Sequence, residues 1–121
     1  IPAQGSQLDA AEAVKAIRLV RRQERAFNRT IPLAVLFTRT SAAIRPRSLQ
    51  AIEAEFAANG VPRFATQLHE RDAYRAIFSF GGTLSGLDLA QVTNIKAAAA
   101  NARAFAAEAV AMLKARTPET V

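Results

Sequence analysis

Between Ile31 and Thr38 the chain reads Ile-Pro-Leu-Ala-Val-Leu-Phe-Thr, an apolar run that no charge interrupts. A short continuous run of this kind predicts a strand buried on both faces, which is the strand of a parallel sheet covered by helices. Pro32 has no amide to donate, so it belongs at the strand entrance. Parallel neighbours cannot be joined by a tight turn, and helical crossovers must therefore flank this strand.

The flanking segments have that character. Ser6 or Asp9 can cap a helix running to about Phe27, with Ala10, Ala13, Val14, Ile17 and Val20 on its buried face. Asn28-Arg29-Thr30 ends it. After the strand, Pro46 suits the first turn of a second helix through Leu49, Ile52, Glu53 and Phe56, stopped by Asn59-Gly60. Val61 to Thr66 is predicted as a shorter, more polar strand nearer the sheet edge. His69 to Phe78 is predicted as a third helix, broken by Gly81-Gly82. A long helix from about Leu89 to Arg116 carries the stripe Val92, Ile95, Ala99, Ala102, Phe105, Ala109 and Met112. The expected organisation is one α/β domain over residues 1–116 with a polar tail at 117–121.

Alternation of strand and helix predicts right-handed crossovers onto a mostly parallel sheet. Only two full strands are expected, together with a strand end at Ile1-Pro2-Ala3. Two or three strands are too few to cover helices on both faces, and no initiator Met or signal peptide opens the chain. The expectation is the C-terminal part of a doubly wound sheet, cut from a longer protein whose other strands precede Ile1.

Composition removes several chemistries. There is no Cys, which excludes disulfides, thiolate metal sites and cysteine nucleophiles. A single His excludes a histidine metal cluster. No apolar run approaches the roughly 20 residues of a membrane span. The net charge of +6 favours phosphate-bearing partners.

Neither G-x-x-x-x-G-K-[ST] nor a strand-borne G-x-G-x-x-G is present, and Gly81-Gly82 follows a helix, where it serves as a stop. Ser41 and Ser48 have no base nearby in sequence, so no catalytic nucleophile is assigned. Two corners remain, both just past strand ends, where open α/β sheets bind ligands. Thr38-Arg39-Thr40-Ser41 is either a ligand contact or a solvated loop. His69-Glu70-Arg71-Asp72 offers acid and base groups, although acids there equally suit a helix N-terminus. Lys15, Arg18, Arg22, Arg25 and Arg29 line one outer stripe of the first helix, either as a solvated face or as a binding surface. Arg45 and Arg47 flank Pro46 at a helix start, where cations oppose the dipole and an external anion would compensate.

Four stretches in order resemble the C-terminal half of ParA-type partition ATPases of the ParA/MinD superfamily. They are Ile1-Pro2-Ala3-Gln4-Gly5-Ser6-Gln7-Leu8-Asp9, the strand ending Thr38-Arg39-Thr40, and Leu68-His69-Glu70-Arg71-Asp72-Ala73-Tyr74 followed by Phe80-Gly81-Gly82-Thr83-Leu84, with the Ala-rich final helix. The resemblance implies a P-loop NTPase-like fold and a bacterial, cytoplasmic protein that dimerises with ATP and magnesium and binds DNA nonspecifically. It also implies a ParB-like or adaptor partner that stimulates hydrolysis, and a role in positioning plasmids, chromosomes or other cargo. The Walker A lysines and the magnesium-binding Asp would lie before Ile1, so the fragment alone is expected to hold neither cofactor, to bind no metal and to hydrolyse no ATP. Thr38, Arg39, Gln67, His69 and Glu70 would supply the nucleotide-base rim. Arg45 and Arg47, with Arg18, Arg22 and Arg25, would face DNA. No terminal amphipathic anchor for membrane is expected. The alternative is a non-enzymatic basic module that uses the Arg stripe to hold nucleic acid or a protein without nucleotide.

Overall fold

The computed structural model describes residues 1–88 and 92–116; the expected helix start at Leu89 and the polar tail 117–121 lie outside them. Val92 to Asn94 are not helical, Asn94 having φ of 56°, so the final helix begins at Ile95. Strand β1 (Pro2–Ala3) leads to α1 (Gln7–Phe27), β2 (Leu36–Thr40), α2 (Arg47–Ala58), β3 (Leu68–His69), α3 (Asp72–Phe80) and α4 (Ile95–Arg116), with one 3₁₀ turn at Leu84–Gly86. The sheet has the order β1-β2-β3, and both neighbouring pairs are parallel. This architecture fits a fragment of a P-loop NTPase-like fold.

Helix α1 starts where its cap dictates. Ser6 is extended, and its Oγ accepts the Asp9 amide at 3.2 Å, while the Asp9 carboxylate accepts the Gln4 amide at 2.7 Å. The helix stops at Asn28, which takes a left-handed conformation with φ of 49°. Ala10 and Ala13 are buried, and Val14 and Ile17 pack beside them.

Strand β2 begins later than the apolar run suggests. Ile31 gives its amide to Glu24 at 2.7 Å, Pro32 has none, and the Ala34 carbonyl accepts the terminal amine of Ile1 at 3.0 Å. The ladder starts at Val35, bridged to Arg63, and runs on through the polar Thr38 and Thr40, because these pair with Leu68 and His69. Strand β3 is likewise displaced from the predicted 61–66. Pro62 cannot donate, and the Ala65 and Thr66 amides turn to the Glu108 carboxylate of α4 at 2.6 and 2.9 Å. Helix α3 starts at Asp72 rather than at His69, whose backbone is occupied by the strand.

Two apolar clusters result. The first joins Ala3, Val35 and Phe37 of the sheet region to Ala10 and Ala13 of α1 and to Leu49, Ile52 and Phe56 of α2. The Phe37 and Phe56 rings stack with centroids 5.9 Å apart. Phe37, Ile52 and Val35 are fully enclosed, and each contributes about 1.5–3 kcal/mol through the area it removes from water. Gly5 belongs to this packing, since a Cβ there would sit 3.0 Å from Leu49 Cδ1. The second cluster unites Ala73 and Ala76 of α3 with Leu87, Val92, and Ile95 and Ala98 of α4. Helix α4 also crosses beside β3, where Phe105 meets Phe64 edge-on at 5.2 Å.

Candidate functional site

Because the strands are parallel, β1, β2 and β3 all finish on one edge of the sheet, at Ala3, Thr40 and His69. Ligands of open α/β sheets gather along this edge. Of the five residues singled out in the sequence, Gln67 and His69 line one hollow near this edge, while Thr38, Arg39 and Glu70 line a neighbouring one that they share with His69. The link is direct: Thr40 Oγ1 and His69 Nδ1 lie 2.9 Å apart, and the Glu70 amide donates to the Thr40 carbonyl at 2.8 Å.

Arg39 marks an irregularity in β2. Its φ is 56°, a left-handed conformation unfavourable for a residue with a Cβ, and the ladder shifts register between Thr38 and Thr40 around it. Strain of this kind concentrates at ligand sites. Its guanidinium lies 3.6 Å from Glu70, whose carboxylate also takes Arg75 at 3.1 Å. His69 is half-buried. Desolvation, joined by the positive charge of Arg71, holds its imidazole below the ordinary pKa, against the effect of the Thr40 bond. A neutral imidazole beside arginines can donate and accept, which suits a heteroaromatic or hydroxyl ligand.

The edge opens into three hollows. One, of about 400 Å³, lies between the Ser41–Arg45 loop and Thr66, Gln67, His69 and Asn101. A second, of about 300 Å³, lies on the other side of Thr40 between Gln4-Gly5-Ser6 and Pro46. A third, of about 310 Å³ and mostly apolar, lies between Thr38-Arg39 and Tyr74, Arg75 and Phe78. Ser41 Oγ braces the loop by accepting the Ala43 and Ile44 amides at 3.2 and 3.0 Å.

Arg45 overhangs the first hollow and already has one anionic partner, while its side chain stays 62% exposed. Its guanidinium pairs with Glu53, a carboxylate only 9% exposed, which also accepts Gln67 Nε2 at 2.5 Å. The anion that the sequence suggested should compensate this cation thus comes partly from α2 itself. Arg47 is exposed at the first residue of α2, in a turn with no acidic residue. Arg18, Arg22 and Arg25 lie elsewhere, exposed along α1. Together with Ile17 and Arg21 they border a groove of about 370 Å³. Lys15 of this stripe is held by Glu12 at 3.0 Å, and Arg21 beside it by Glu24 at 2.8 Å. The Ile31 amide and Arg21 keep the Glu24 carboxyl below the usual carboxylate range.

Three participants escaped the sequence reading of the site: Glu53, Tyr74 and Asn101. Glu53 and Tyr74 fell on helices already accounted for by packing, and Asn101 sits inside an alanine-rich segment. Among the described residues no group of three His, Asp or Glu could hold a metal ion, and no helix is long and apolar enough to cross a membrane.

The chain is similar to Protein ParA of Rhizobium radiobacter, with 41% identity over 106 residues, or 88% of this chain. It spans about half of that relative, 47% of its length. No protein-family model and no solved structure matches the chain.

Proposed function

We propose, from the premise that this is a ParA-like chain with a partition-related function, that it forms the nucleotide-base rim and a DNA-facing surface of a partition ATPase. The observation that supports this most is that, where the parallel strands end, Gln67 and His69 line one hollow and Thr38, Arg39 and Glu70 line the adjoining one, with His69 common to both. The purine of ATP would enter the hollow beside Gln67, His69 and Asn101. There His69 Nε2 and the Ser41–Arg45 loop would meet it. Such a hollow orients a base, and orientation is the part of phosphoryl transfer that this region can supply. Magnesium and the phosphates would be held by other residues of the intact protein, since no Walker A motif is present in this sequence.

Arg47, with Arg45 beside it, and the exposed Arg18, Arg22 and Arg25 would contact phosphates of DNA without reading sequence. In this role the intact protein is a cytoplasmic, ATP-dependent dimer that holds DNA nonspecifically and moves plasmid, chromosome or other cargo, with hydrolysis stimulated by a ParB-like or adaptor partner.

The test is DNA binding by the full-length protein at several salt concentrations, with and without ATP. ATP-dependent binding that weakens steeply with salt, and weakens further in Arg45→Glu/Arg47→Glu, is expected. Unchanged binding by that double variant would remove this surface from the proposal. Binding indifferent to ATP, yet lost in Arg18→Glu/Arg22→Glu, would favour the non-enzymatic basic module.

A further inference from the structure

Strand β3 has one edge against β2, and α4 attends to the other. Asn101 of α4 donates Nδ2 to the Gln67 carbonyl at 2.7 Å, and its Oδ1 accepts the His69 amide at 3.1 Å. One side-chain amide thus satisfies an acceptor and a donor two residues apart on the strand, as the peptide group of a neighbouring strand would. Only a primary amide can do this, because a carboxylate lacks the donor and a hydroxyl cannot reach both. Tyr74 of α3 fixes the same amide from behind: its hydroxyl lies 3.1 Å from Asn101 Oδ1 and 2.9 Å from the Ala98 carbonyl. The two residues that Asn101 grips, Gln67 and His69, both line the hollow assigned to the base, and so does Asn101 itself.

We infer that Asn101 is a positioning residue of the nucleotide-base rim, setting the orientation of Gln67 and His69 from α4, with Tyr74 locking its amide. This inference rests on the nucleotide reading of the hollow. Removal of the amide takes away the restraint on the outer edge of β3, leaving the bonds to Thr40 and Glu53, and the ligand contact made by His69 and Gln67 loses part of its geometry. A base would register the change, whereas a phosphate chain bound elsewhere would not.

The experiment compares the affinity of the full-length protein for ATP with its affinity for inorganic tripolyphosphate, which has phosphates but no base. The ratio of the two is the readout, since a smaller folded fraction weakens both ligands alike and cancels. Wild-type protein is expected to prefer ATP. Asn101→Ala and Asn101→Asp should each cut that preference by about fivefold to tenfold, the size of a lost hydrogen bond in a closed site. Tyr74→Phe frees the amide but keeps both bonds from Asn101 to the strand, so it should cut the preference, though by less than the Asn101 variants do; a loss as large as theirs would overturn the assignment of the positioning role to Asn101. An undiminished preference in both Asn101 variants would overturn the positioning role while leaving the nucleotide reading intact. A wild-type protein with no preference for ATP over tripolyphosphate would overturn the reading of the hollow, and this inference with it.

Discussion

Thr40 and His69, 29 residues apart in the chain, meet side chain to side chain at 2.9 Å where β2 and β3 end. The bond ties the ends of β2 and β3 together and places the only imidazole of the chain at the edge where the parallel strands finish.

That imidazole makes stability depend on pH. Burial first, then Arg71, depress the folded pKa below the ordinary value of about 6.5. The unfolded chain therefore takes up the proton first as pH falls. The stabilisation from a neutral His69 is complete above the unfolded value and is lost as pH drops through the folded one. Urea midpoints measured from roughly pH 7.5 down to 5 should fall in the wild type and fall less in His69→Gln. Parallel profiles for the two proteins would show that His69 does not drive the dependence.

Arg39 separates stability from binding. Glycine adopts the left-handed region freely, whereas a β-branched residue is strained there. The Arg39–Glu70 pair is exposed and adds little. Arg39→Gly should therefore be more stable than Arg39→Val by about 1–2 kcal/mol, while both lose the guanidinium. Equal melting temperatures for the two variants would mean that residue 39 is not held left-handed in solution.

Glu108 fastens α4 to the segment before β3 by accepting two successive amides. Desolvation opposes its charge, but the hydrogen bonds from Thr66 and Ala65 prevail and lower its pKa. The contribution is full above the unfolded value and is lost as pH falls through the depressed folded one. Glu108→Gln should cost about 1 kcal/mol near neutral pH, a small figure because the pair of bonds borders solvent. Amide exchange at Ala65 and Thr66 should accelerate in this variant, and unchanged protection there would refute the clasp.

The sheet core tolerates truncation poorly. Ile52→Ala or Phe37→Ala would leave a void between α2 and β2, at a cost of about 2–5 kcal/mol. Ile52→Val should cost only about 0.5–1.5 kcal/mol, and chemical denaturation can rank the three. If Ile52→Ala proved as mild as Ile52→Val, Ile52 would not lie enclosed in the first apolar cluster.

Much of this was legible before folding. The cap at Ser6, the stop near Asn28, the faces of α1 and α2 and the break at Gly81 follow from local preferences, which act over a few residues. The strands were less legible, because a strand exists only where a partner accepts its hydrogen bonds. Ile31 to Ala34 are apolar enough, yet their polar groups go to Glu24 and Ile1, and the ladder settles on Leu36 to Thr40 instead. That the corners at Thr38 to Ser41 and His69 to Asp72 fall at strand ends on one edge was legible, because the apolar run and its flanking helices fix where the strands finish. Their supports, Glu53 and Asn101, act on residues 14 to 34 positions away, and no local pattern announces such a pairing.

Helix α4 has one more consequence, for how the molecule comes apart. Eleven of its 22 residues are alanine, so a good part of its helicity is intrinsic to the chain rather than conferred by packing. When the sheet loosens, residual helix in α4 should keep the far-ultraviolet dichroism from collapsing completely. The chain has one tyrosine and no tryptophan, and that tyrosine, Tyr74, is bonded to α4 through Ala98 and Asn101. Its emission therefore reports α3 parting from α4, a signal that can precede the loss of helix and distinguish an undocked chain from an unravelled one.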